Sequence, residues 1–469
     1  MAAIALRRHL AAPLLLLLGG CASFTPDGGM TPVANQVAGE TGASVLKISS
    51  TEAAAEAQAR VAALLSRPLD ARAAAQIALL SNRGLQAQYN ALGISEADYV
   101  AASLPPNPVF GVERLSGGGE LDIERRLAAN LLALLTLPAR TEIAKSQFEA
   151  ARQRAVEATF RTAAEARRAY YRAVAARQTE VFLESARRIA DAAADLTVKL
   201  GETGAATKLD QARASAFYAE VSSTLAQARL ASATEREALT RSLGLWGADT
   251  AFRLPSQLPR LPGRLRSVGH VEAEAVMRRT DLIAARLELD ALSKTLGLTE
   301  ATRFVSLIDG AYRSNYQRAG NETLRPSGFE LEVQVPLFDL GETKVRRGAE
   351  VYMQAVNLLM EQAVNVRSEA RAAYVGYRAR YDIARQYQAK ILPLRKIINE
   401  QALLQYNGML IDVFELLTTE RESIDSSVAA IAAQRDFFLA EVDFETAITG
   451  GGSGRAMVAS AASPSAESD

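Results

Sequence analysis

From Ala139 to Leu200 the chain contains neither proline nor glycine, and this stretch restricts the possible folds more than any other feature. Val156, Thr159, Ala163, Ala166, Tyr170 and Ala173 recur through it at alternating steps of three and four residues, the stripe of an amphipathic helix. At ~1.5 Å per residue it makes a rod of roughly 90 Å. Alanine, which loses least side-chain entropy in a helix, is heavily used, and proline is sparse and clustered, so most of the chain is expected to be helical.

The rod belongs to a pattern that occurs twice, and repeats decide architecture before motifs do. Helical periodicity runs from about Ala53 to Ala101 with a break at Pro68. It stops at Pro105-Pro106-Asn107-Pro108, where proline removes donors and biases its neighbours to extended geometry. After the rod, the segment from Gly201 to Gly204 turns the chain, and a helix returns to about Leu243. Pro255, Pro259 and Pro262 then mark an irregular linker.

Beyond it the order begins again. Asn82-Arg83-Gly84-Leu85 corresponds to Arg279-Thr280-Asp281-Leu282, Leu137-Pro138 to Val335-Pro336, and the turn at Gly204 to the turn at Gly408. The second rod carries Val356, Leu359, Ala363, Val366, Ala370, Ala373 and Tyr377, a coiled-coil seam built partly on alanine. The expected domains are repeat one at 51–243, a linker at 244–268, repeat two at 269–449 and a disordered Gly/Ser/Ala tail at 450–469.

Each repeat interrupts its helices with a strand pair, at about 109–136 and 304–338. Phe329, Leu331, Val333, Val335 and Leu337 alternate with Glu330, Glu332 and Gln334, giving one apolar and one polar face. Phe304 to Tyr316 reads as the partner, with a loop around Asn321 to Ser327. In repeat one, Val109 to Leu115 and Leu121 to Ala129 are joined through Gly117-Gly118-Gly119. Arg125 falls on the apolar face of Leu121 and Ile123, where a bulge or a strand end would absorb it, and Leu131 to Leu135 is ambiguous between strand and helix. Strands of this length suit a membrane barrel. Four of them leave two open edges, which lipid does not tolerate, so the chain must share a barrel with copies of itself.

At the N-terminus, Arg7, Arg8 and His9 precede the apolar run Leu10 to Leu18, the order of a secretory signal over residues 1–20. Leu18-Gly19-Gly20-Cys21 resembles a bacterial lipoprotein cleavage box, with Cys21 as the acylated first residue of an extended arm at 21–50. Ala22, rather than aspartate, fits an outer-membrane destination.

Composition excludes other classes. Lys plus Arg and Asp plus Glu balance at 53 each, which argues against nucleic acid as a partner. His9, His270 and Cys21 are the only residues of their types. No common Cys/His zinc site, HExxH or CxxC spacing is available, and no metal or cofactor is expected. Gly117-Gly118-Gly119 lacks the Lys and Ser/Thr of a P-loop, and His270 has no nucleophile pattern near it, so catalysis is not expected.

The lipoprotein box, the tandem repeats, Pro-Asn-Pro at 106–108, Val-Pro-Leu-Phe at 335–338 and Tyr-Asn-Gly-Met-Leu-Ile-Asp-Val-Phe-Glu at 406–415 together resemble the TolC-type outer-membrane efflux proteins over roughly residues 50–449. The resemblance implies a mainly α fold with a small membrane β part. Three chains would each give four strands to a twelve-stranded barrel, continued by a helical tunnel into the periplasm. It implies a non-enzymatic conduit for small molecules or metal ions, a periplasmic adaptor and an inner-membrane pump as partners, and a position lipid-anchored in the outer membrane.

The adaptor-docking tips would be Gly204-Ala205 and Gly408-Met409, and Asp412 and Glu415 would form the periplasmic gate. The alternative is that Asp412 and Glu415 are simply acids favoured at a helix N-terminus, and Asp210 is a weaker gate candidate. Two other functions fit the pattern: a type I protein-secretion channel, and a non-conducting periplasmic coiled-coil lipoprotein.

Overall fold

The computed structural model describes residues 23–267 and 269–451. Cys21 and the signal segment 1–20 lie outside the described residues, as does the tail beyond Gly451. In chain order the elements are α1 (Met30–Thr41), α2 (Thr51–Leu65), α3 (Ala71–Ser81), α4 (Arg83–Ser103), β1 (Val109–Gly117), β2 (Glu120–Asn130), α5 (Leu131–Leu135), α6 (Leu137–Glu202) and α7 (Lys208–Leu243). The second half contributes α8 (Val271–Arg278), α9 (Thr280–Ala301), β3 (Leu307–Ala319), β4 (Glu322–Leu324), β5 (Ser327–Gln334), α10 (Glu342–Gln386), α11 (Leu392–Asn407) and α12 (Val413–Thr449).

The rod α6 is 66 residues long, about 99 Å at 1.5 Å per residue. Pro138 sits in its first turn, where a missing N–H costs nothing. Along its seam Val156, Thr159, Ala166, Tyr170 and Ala173 are buried. In the second half, residues 342–407 repeat that length, but a single π-helical turn at Tyr387–Ile391 separates α10 from α11. Pro393 follows that turn. Having no N–H and a ring that crowds the preceding turn, proline cannot continue a regular ladder, and a wider turn accommodates it.

α6 packs against α3, α4, α7, α9 and α12. Its middle is locked to α12 by the stacked rings of Tyr171 and Phe438 at 4.8 Å, and α12 in turn to α10 by Tyr377 on Phe444 at 5.2 Å and on Phe437 at 5.6 Å. Phe437 and Phe444 are fully buried; truncating either to alanine should cost about 3–5 kcal/mol through lost transfer energy and the cavity left behind. The proline-rich linker straps this core. Gln434 donates from Nε2 to the Pro259 carbonyl at 2.6 Å and Tyr381 Oη donates to the Pro262 carbonyl at 2.9 Å, while the linker's own Phe252 and Leu258 are buried in the core.

Several expectations need correction. The arm at 21–50 is not extended throughout, since α1 occupies Met30–Thr41. Met30, Val33 and Val37 share one helical face and bury against Leu92, Phe148 and Val156, a signal hidden among small and polar neighbours. Asp27 fastens its start, accepting hydrogen bonds from the Gly29 N–H at 3.2 Å and the Thr31 hydroxyl at 2.6 Å.

The ambiguous run Leu131–Leu135 is helical, started by Asn130, whose side chain accepts from the Ala133 N–H at 2.6 Å; the first hairpin thus ends at Asn130. β3 begins at Leu307 rather than Phe304, and the expected loop after it contains β4. β5 stops at Gln334. Pro336 cannot donate to a ladder, and its carbonyl instead accepts from the Leu340 N–H at 2.9 Å, closing a turn. At the other end, Gly450 and Gly451, assigned to the tail, are packed: the Gly450 N–H donates to the Thr446 carbonyl, and a Cβ on Gly451 would come within 2.6 Å of the Arg161 nitrogen.

Candidate conduit: a two-faced sheet and a paired helical tip

The sheet is antiparallel in the order β1–β2–β3–β5, with the short β4 also pairing β3. Among the described residues, β1 and β5 each leave one side unpaired. The ladder is continuous through Arg125, which lies between Val112 and Ser314, so no bulge removes it from the apolar face.

The register assigns both faces. Phe110 on β1, Leu127 on β2, Tyr312 on β3 and Phe329 on β5 form one cross-strand row, and Ala129, Gly310 and Leu331 form the next. This face is apolar and open, with Phe329 91% exposed. The opposite face is polar and cross-linked. Arg313 reaches Glu330 at 2.5 Å and Glu124 at 3.3 Å, Arg126 lies 3.9 Å from Glu330, and Gln317 donates to Asp122 at 3.1 Å. Further polar atoms on it, Asp122 Oδ1, Asp309 Oδ1 and Asn315 Oδ1, have no hydrogen-bond partner among the described residues. An apolar outside and a hydrogen-bonding inside is the division that a water-filled barrel needs.

At the far end of the rods the two turns lie side by side. Phe217 and Val221 of α7 share a buried cluster with Leu417 of α12, the Arg213 guanidinium stands 4.5 Å from the Phe414 ring centre, and Arg421 pairs with Glu220. In the first turn Gly204 takes a left-handed conformation (φ 77°), and the Ala205 N–H donates to the Leu200 carbonyl at 2.8 Å. In the second turn the left-handed residue is Met409 (φ 58°), not Gly408 (φ −83°). One constant offset relates Leu137 to Glu342, Gly204 to Met409, Thr207 to Asp412 and Asp210 to Glu415. The glycine pairing read from the sequence is therefore out by one residue. Met409 is also 94% exposed, with Leu410 exposed beside it.

Asp412 is the N-cap of α12; its carboxylate accepts from the Glu415 N–H at 2.8 Å. Thr207 and Asp210 make the equivalent reciprocal box at the start of α7, and the Thr207 hydroxyl holds the Asp210 carboxyl below the ordinary range. Both acids thus stand at a helix N-terminus, the alternative position read for them, with Asp412 as the cap, and both remain exposed. Sequence reading missed Glu420, which lies on the α12 face that carries Val413, Leu417 and Ile424. Burial alone raises its pKa, and no hydrogen bond or ion pair engages it among the described residues. Its signal was an acid inside a three-four apolar stripe.

No family model matches the sequence, and no curated protein matches it. Solved structures do. The chain aligns with CusC, described as forming a transmembrane channel, at TM-score 0.68 and 17% identity over 84% of this chain and 92% of that one. The Campylobacter jejuni outer membrane channel CmeC aligns at TM-score 0.64 and 15% identity, covering 84% and 86%. The open state of the Neisseria gonorrhoeae outer membrane channel MtrE gives TM-score 0.66 and 16% identity, covering 84% and 89%. The fold is that of outer-membrane channel proteins.

Proposed function

We propose that this chain is the outer-membrane subunit of a tripartite efflux system. Three copies join four strands each into a twelve-stranded barrel above a helical tunnel, and the trimer passively conducts small molecules or metal ions expelled by an inner-membrane pump. The observation that carries this reading is the sheet itself, polar on one face, apolar on the other and open at both edges, mounted on two helical hairpins of matched length. Copies of the chain are the simplest partners for both edges. Cys21 carries the lipid anchor.

The exposed turns around Gly204, Ala205, Gly408 and Met409 dock a periplasmic adaptor, with the Met409 and Leu410 side chains as the apolar contact. Asp412 and Glu415, repeated by three-fold symmetry, form rings of carboxylates that favour cations and repel one another unless protonated or paired.

The test is single-channel conductance of the purified full-length protein in a planar bilayer, compared with Asp412→Ala/Glu415→Ala. Small cation-selective openings that grow in the double variant support conduit and gate together. An unchanged channel removes the gate assignment and keeps the conduit. Absence of conductance from a well-folded trimer, variant included, favours the non-conducting coiled-coil lipoprotein.

A further inference from the structure

We propose that the apolar face of the sheet ends in a binding site for the phosphate groups of outer-leaflet lipid headgroups, built from Arg114, Arg125, Arg318 and Arg325. This rests on the barrel reading above and adds a ligand to it.

The two faces treat their arginines in opposite ways. On the polar face, Arg126 and Arg313 are both within 4 Å of carboxylates. On the apolar face, Arg125 lies opposite Val112 and Ser314, Arg114 opposite Ile123, and Arg318 opposite Leu121. None of these three, nor Arg325, has an ion-pair partner among the described residues, and all four are exposed. Their contacts within the chain are weak: Arg318 Nε points to the Gly320 carbonyl at 3.5 Å, and Arg325 lies 5.5 Å from the ring centre of Tyr316, which faces the same way. The register places no Asp or Glu on this face of any strand. Closing the barrel supplies none either, because the edge that would meet β1 of a second copy presents Ser327, Phe329, Leu331 and Val333 of β5 on this face and, level with Arg318, Thr323 of β4.

Position along the strands fits a headgroup layer. Rows through Ile308, Gly310 and Tyr312 are apolar, and arginines then occupy three successive rows toward the Gly118-Gly119 and Gly320-Asn321 turns. With ~3.3 Å per residue and a tilt of ~40°, those rows lie about 15 to 25 Å above Ile308 along the barrel axis. An arginine on the lipid face costs about 2–4 kcal/mol at the bilayer midplane and close to nothing near the interface. Guanidinium groups there fit phosphate oxygens bidentately. A lipid is the source, rather than free phosphate, because acyl chains from the same molecule can lie along Phe110, Leu127, Tyr312 and Phe329 in the rows below.

The test is native mass spectrometry of the detergent-purified full-length protein titrated with diphosphoryl lipid A, with fully dephosphorylated lipid A and with inorganic phosphate. Expected is retention of the diphosphoryl form at least about tenfold tighter than the dephosphorylated one, since several charge-assisted contacts are lost with the phosphates. That difference should vanish in Arg114→Gln/Arg125→Gln/Arg318→Gln. Should the triple variant fail to assemble, the wild-type lipid comparison and Arg125→Gln alone decide.

Equal retention of the two lipids by an assembled protein overturns the proposal and leaves the barrel standing, and so does full displacement by millimolar inorganic phosphate, which would mark a free-anion site. A chain that stays soluble without detergent and retains neither lipid overturns the barrel reading and this site with it.

Discussion

Neutralising the unpaired acids of the polar sheet face should halve the ionic selectivity of the channel. That face carries Glu113, Glu120, Asp122, Glu124, Asp309, Glu322, Glu330 and Glu332 against Arg126 and Arg313, an excess of six negative charges in each chain. Glu113→Gln/Asp309→Asn/Glu332→Gln removes half of that excess and spares Glu124 and Glu330, which hold Arg313.

Twelve strands spaced ~4.8 Å apart and tilted by ~40° close with a radius of about 12 Å to the backbone, and less to the side-chain tips. The Debye length is ~10 Å at 0.1 M salt and ~3 Å at 1 M. The acids should therefore control the whole cross-section at the lower salt and only the wall at the higher. Across a tenfold KCl gradient topped at 0.1 M, ideal cation selectivity gives about 59 mV. The wild-type reversal potential should exceed half of that, the triple variant should lose about half of the wild-type value, and both should collapse when the gradient is topped at 1 M. A triple variant with an unchanged reversal potential, or an anion-selective wild type, would refute the assignment of this face to the lumen.

Two further outcomes concern the helical tip. Met409→Gly relieves a left-handed backbone that costs a side-chain-bearing residue ~1 kcal/mol; hydrogen exchange at the Leu410 amide, bonded to the Gln405 carbonyl, should slow by up to about fivefold, and faster exchange would count against the strain. Glu420 has a folded pKa raised by burial above its ordinary 4.5, so its folded form binds the proton more tightly than its unfolded form. The Glu420 contribution to tip stability should be fully present below about pH 4.5 and be lost as pH rises through the raised value; Glu420→Gln should remove that component from the pH-dependent hydrogen exchange of the α12 N-terminus, and an identical profile in the variant would dismiss Glu420 as its source.

The rods were legible because their signal is long. Dozens of residues without a helix breaker, carrying a regular alanine and aromatic stripe, leave one solution, and the second copy repeats it. The alternation from Phe329 to Val333 likewise assigned the faces of β5 before any register was known. Short elements were not legible in the same way. α1 buries only Met30, Val33 and Val37, too few apolar positions to stand out among Gly, Thr and Gln.

The turn at 408–412 misled because glycine normally marks the left-handed position, whereas here Met409 takes it and Gly408 stays in the ordinary region. The π turn before Pro393 had a visible cause but no visible form, since proline in a helix produces a kink, a stop or a widened turn according to what packs around it. That Asp412 and Glu415 stand at a helix N-terminus was legible because acids just after a turn are a local signal, whereas the cap made by the Asp412 side chain was not read from the sequence. Glu420 escaped because its burial depends on α7.

The two unpaired sheet edges have a consequence for the biogenesis of the protein. In the proposed barrel, a lone chain in lipid would leave one edge of β1 and one of β5 unsatisfied, so folding of the β part would be a reaction whose order depends on how many chains are present. The helical rods, which bury their own seams, carry no such dependence. Dilution should therefore stall the chain with formed helices and an unformed sheet. On that reading, the rate of maturation should rise with the number of chains in the membrane.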